Sequence, residues 1–66
     1  MDEGDIHMMT EAEIMAWGQR NARQLITSHG LLEAIAITEG ALADRELTRL
    51  GERRWSATLH YLEGRK

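Results

Sequence analysis

Three groups of side chains in this sequence have types and spacings that could do chemistry. They are the histidines His29 and His60, the arginines Arg45, Arg49 and Arg53, and the tryptophans Trp17 and Trp55. The histidines come first, because imidazole serves both acid–base and metal chemistry near neutral pH. They stand far apart in the chain. Glu63 follows His60 by three residues and can face the same way on a helix. Two ligands do not make a metal site, and the chain has no Cys to add a thiolate. Gly18, Gly30, Gly40 and Gly51 are isolated, so no Gly-rich loop cradles a phosphate. A nucleophilic Ser needs a base and an orienting acid, and no local pattern supplies them. The expectation is a protein that is not an enzyme, with no catalytic, metal or cofactor residues.

Arg45, Arg49 and Arg53 recur at every fourth position, so on a single helix they form one stripe. Arg54, Arg65 and Lys66 add charge nearby. From Arg45 to the end, six bases stand against three acids. Such a face could bind phosphates, whose contacts dominate non-specific nucleic-acid affinity. Yet Glu46, Glu52 and Glu63 are interleaved on the same face, and a solvated salt-bridge surface is the plainer reading. A helix-turn-helix places a polar recognition helix after its turn, whereas Asn21 and Gln24 come before one. A small DNA-binding regulator using Arg45, Arg49 and Arg53 is therefore the second expectation.

The first expectation is association with protein. Trp is enriched among the interface residues that carry binding energy. Trp17 projects about 60° outside the apolar stripe of its own helix by helical periodicity. It is either an edge residue lying over the core or an anchor in an interface. Trp17, Ile37, Trp55 and Leu59 are the candidate interface residues. The expected partner is a second copy of the chain or a larger protein, with no membrane involved. No run of about 18 apolar residues exists to span one.

These groups must be positioned by helices. Leu, Ala, Glu and Arg dominate, and Pro and Phe are absent. That composition favours helix, since strands want more β-branched and aromatic residues. The sequence predicts an all-α domain of three helices, about 11–29, 31–43 and 45–63: a helical hairpin and a third amphipathic helix. Thr10-Glu11-Ala12-Glu13 is a capping box that opens the first. Ile14, Met15, Gly18, Ala22, Leu25 and Ile26 share about 120° of its arc. Gly18 in that stripe suggests close approach of another helix. Gly30 ends the helix, as Gly does at the left-handed position after a C-terminus.

The stretch LLEAIAITEGALA, residues 31–43, is apolar on nearly every side. Leu32, Ala36 and Ala43 point one way, with Leu31, Ile35 and Leu42 beside them; Ala34, Ile37 and Ala41 point elsewhere. Such a helix is expected to be covered on several sides. Asp44 is read as the cap of the third helix, starting at Arg45. That start sorts Leu47, Leu50, Gly51, Trp55, Thr58, Leu59, Tyr61 and Leu62 onto one face, with Arg54 the exception that can snorkel. The rival reading runs the second helix to Leu47, turns around Thr48 to Gly51, and starts the third near Glu52.

Sixty-six residues make one domain at most. Domains of this size are marginal and often rely on disulfides, metals or a partner; without Cys, disulfides are excluded. Residues 1–8 read as the translated junction of a bacterial expression vector, expected to be disordered, which leaves 9–66 as the helical domain. Without Asp2, Glu3 and Asp5 the acids fall to eight against eight bases, so the formal charge of −3 says little about partners. Seven Arg to one Lys, with frequent Ala, suits a GC-rich bacterial or phage genome. The lack of Cys is compatible with a cytoplasmic location.

Overall fold

The first helix begins where its capping box dictates. Thr10 Oγ1 accepts from the Glu13 amide at 3.1 Å, and Glu13 Oε1 accepts from the Thr10 amide at 2.8 Å. This is a feature of the computed structural model of the chain, which describes residues 9–65. The vector-junction reading falls on residues outside that range. Among the described residues the chain forms three helices and no strand: α1 (Glu11–His29), α2 (Leu31–Leu42) and α3 (Arg49–Glu63).

Gly30 alone joins α1 to α2. Its amide donates to Ile26 O at 2.8 Å and its carbonyl accepts from the Ala34 amide at 2.9 Å. It therefore closes one helix and opens the next. Its φ of +89° is the positive value expected, but its ψ of 163° lies outside the left-handed helical region. That combination is essentially open only to Gly, and it lets the chain reverse within one residue.

The start of the third helix differs from both sequence readings. Asp44 does not cap a helix at Arg45. Its Oδ1 accepts from the Glu46 amide at 3.0 Å, two residues on, and so holds a turn. Thr48 is the true N-cap, accepting from the Gly51 amide at 2.9 Å. Two capping side chains compete over five residues, and Thr48 wins the helix because Leu47 then folds over Gly51. A Cβ on Gly51 would meet Leu47 Cδ1 at 2.8 Å. Leu47 is thus half-buried in the connection rather than on the helix.

α1 and α3 run in the same direction. Their contacts advance together, from Glu11 with Arg53, through Gly18 with Ala57, to Asn21 with Thr58. Gly18 is the crossing point. A Cβ there would lie 2.6 Å from Ala57 Cβ and 2.8 Å from the Thr58 nitrogen. The expected close approach is therefore real, and it explains a residue that otherwise costs about 1 kcal/mol in a helix. α2 packs against both. The main apolar cluster joins Ala22, Ala34, Ile35 and Leu62, flanked by Leu25, Ile26, Leu31, Leu59 and Tyr61.

Two threonines belong to the interior. Thr38 and Thr58 are fully buried. Their hydroxyls donate to the carbonyls four residues back, Ala34 O at 2.9 Å and Arg54 O at 3.0 Å, so neither is left unpaired. Thr58 Oγ1 also accepts from Asn21 Nδ2 at 3.2 Å, tying α1 to α3.

Candidate functional site

The expectation that α2 is covered on several sides is not met within this chain. Ala34, Ile35 and Thr38 are buried, and Leu31, Ile37, Ala41 and Leu42 are half-buried. Leu32, Ala36, Gly40 and Ala43 all face outward. Leu32 is 82% exposed, the one large hydrophobic so exposed among the described residues. The reason is geometric. Two neighbouring helices reach one side of a third, and α1 and α3 both lie on the side of Ala34, Ile35 and Thr38. The opposite face is left to solvent, with Glu33 and Glu39 at its borders.

The four residues read as interface candidates are brought into the body of the fold. Trp17 and Trp55 meet edge to face, with ring centroids 5.9 Å apart and planes at 77°. That arrangement suits the quadrupoles of two aromatic rings. Both are half-buried, as are Ile37 and Leu59, and Leu59 packs on the main cluster. Arg54 lies over Trp17, its guanidinium carbon 4.8 Å from the centre of the ring. This is a cation–π contact with a snorkelled stem. Its Nε is buried without a hydrogen-bond partner among the described residues. Trp17 thus owes its position outside the stripe of α1 to α3, which reaches round to meet it.

The arginine stripe is broken. Arg45 lies in the turn that Asp44 holds, so only Arg49 and Arg53 share the exposed face of α3. Arg53 Nη2 donates to Glu11 Oε1 at 2.6 Å, across forty-two positions of sequence. Both side chains are substantially exposed, 42% and 74%, so the pair contributes at most about 1 kcal/mol. It does engage one of the arginines with an acid that the sequence spacing gave no reason to choose.

Beside that ion pair, α1 and α3 bound an open groove of about 450 Å³. Ile14, Met15 and Ala57 form its base, and Glu52, Ser56 and His60 line one wall. These last three recur every fourth residue along α3. No hydrogen bond links Ser56 to His60 among the described residues. At the other end of the molecule, His29 Nδ1 stands 3.9 Å from Glu33 Oε1. A sequence reading that finds no Glu or Asp spaced to pair with His29 misses this spacing of four, which runs across the break at Gly30. Among the described residues no three or more His, Cys, Asp or Glu side chains cluster as a metal would need. No helix among the described residues is long and apolar enough to cross a membrane.

No protein family, curated protein or solved structure matches this chain.

Proposed function

We propose that this protein is a small non-catalytic interaction module that works by burying a helical apolar surface against another protein. The observation that carries this reading is Leu32, 82% exposed on a face of α2 that continues through Ala36 and Gly40 to Ala43 just past the helix end. An apolar side chain of this size left in water forgoes about 1.5–3 kcal/mol that burial would supply. In a domain with so small a core, that is a large fraction of its stability. Contiguous exposed apolar surface on a small protein marks places where partners dock. The lack of Cys and the excess of Arg over Lys set the module, in this reading, in the cytoplasm of a bacterial or phage-infected cell.

Nucleic-acid binding through Arg45, Arg49 and Arg53 has less support. Arg45 is off the helix and Arg53 is engaged with Glu11. The test of the main reading compares the wild-type chain with Leu32→Ser by light scattering after gel filtration, alone and with proteins retained from a bacterial extract. The expected outcome is an assembly, with itself or a retained protein, that the Ser variant loses while staying folded. Identical masses and identical retained proteins for the two chains would refute it.

A further inference from the structure

Three glycines, Gly18, Gly40 and Gly51, sit inside helices of this molecule, and the first two are in opposite surroundings. Gly18 has a packing reason, since a side chain there would strike Ala57 and the backbone of Thr58. Gly40 has none within the chain. A Cβ built on it meets nothing within 4 Å. It lies in the last turn of α2, where Gly is still a poorer helix former than Ala. At 100° per residue, Leu32, Ala36 and Gly40 fall within about 80° of arc, and Ala43 follows just past the helix end. Glu39 borders that arc on one side and Glu33 on the other. All six residues are exposed. From Leu31 to Asp44 there is no Lys or Arg.

We infer that the outer face of α2 receives a helix of another protein, apolar along its contact line and carrying Lys or Arg at its flanks. The inference rests on the interaction-module reading and names the partner's chemistry. Gly40 supplies the place where two helix backbones approach closely, as Gly18 does for α1 and α3. Leu32 is the apolar knob one side of that crossing. Charge complementarity selects the occupant. A helix with basic flanks meets Glu33 and Glu39 favourably on both borders. A second copy of this face, in either direction, sets an acidic border against an acidic border, and like charges at such positions repel.

The test is a display library of helical peptides with a fixed Leu/Ala seam and flanking positions varied among Lys, Gln and Glu, sorted against the full chain. The sorted pool is expected to be enriched in Lys at the flanks. Its binding should fall about fivefold to tenfold in the Glu33→Gln/Glu39→Gln double variant, the size two partly exposed ion pairs allow. It should be lost in Leu32→Ser and in Gly40→Leu, with the unfolding midpoint of each variant measured alongside. Gly40→Leu is decisive, because it adds apolar surface where the chain has room for it. A merely sticky patch binds more after that change, whereas a close-approach site is blocked.

A pool that depends on Leu32 but shows no preference for Lys overturns the basic partner and leaves the interaction face standing. A chain that dimerises through Leu32 on its own overturns the inference in favour of a second copy. Binding indifferent to Leu32 and Gly40, or no binding by any peptide of the library, removes both the inference and α2 as the interaction face.

Discussion

Substituting Ala for Gly18 tests how the helices are held, because two effects of opposite sign meet there. In an exposed helix the change stabilises by about 1 kcal/mol, since Gly loses more backbone entropy on folding. At Gly18 the new methyl would lie 2.6 Å from Ala57 Cβ, 2.7 Å from the Ala57 carbonyl carbon and 2.8 Å from the Thr58 nitrogen. Two of those three atoms are backbone and cannot rotate away, so α1 and α3 must separate. Overpacking of this kind costs typically about 1–3 kcal/mol, and the separation also strains the Asn21–Thr58 hydrogen bond and the Trp17–Trp55 contact. Overpacking is therefore expected to win. Gly18→Ala should lower stability by about 1–2 kcal/mol net, a fall in Tm of roughly 4–15 °C for a domain of this size.

Gly40→Ala is the matched control. It makes the same chemical change in a helix with nothing within 4 Å of the new methyl. It should raise stability by about 0.5–1 kcal/mol. Urea unfolding of wild type and both variants, followed by circular dichroism and by tryptophan fluorescence, measures the pair. The opposite signs are the content of the prediction. A Gly18→Ala chain as stable as wild type, or more so, would refute the close crossing of α1 and α3 and with it the parallel arrangement described above.

Thr48→Ala should cost about 1 kcal/mol by removing the N-cap of α3, while Asp44→Ala, which only loosens a turn, should stay within about 0.5 kcal/mol; the reverse order in chemical denaturation would move the helix start back to Arg45. Leu62→Ala empties a fully buried site and should cost about 2–5 kcal/mol, enough to leave much of so small a domain unfolded by circular dichroism at 37 °C. Glu11→Ala should change stability by less than about 1 kcal/mol, and still less in 1 M salt, because the Arg53 pair is exposed. Arg49→Glu with Arg53→Glu should leave retention on a nucleic-acid column at low salt no weaker than wild type; a clear loss would revive the basic-face reading.

The helical class, the capping box at Thr10, the bounds of α1, the break at Gly30 and the crossing role of Gly18 were all legible in the sequence. Each is a local matter. A cap, a positive-φ glycine and a periodic stripe act over one or two turns, and their residue types announce them. What lies between Ala43 and Thr48 was not legible, because Asp44 and Thr48 can each cap a helix, and only the packing of Leu47 on Gly51 decides between them. The meeting of Trp17 with Trp55, of Arg54 with Trp17 and of Arg53 with Glu11 was equally out of reach. These contacts depend on the direction and offset of α1 against α3, which no spacing within either helix encodes. The same holds for α2. Its composition determined that it is apolar on nearly every side. Which side stays in water depends on where two other helices sit, and that the tertiary structure alone decided, turning Ala34, Ile35 and Thr38 inward and leaving Leu32 and Gly40 outside.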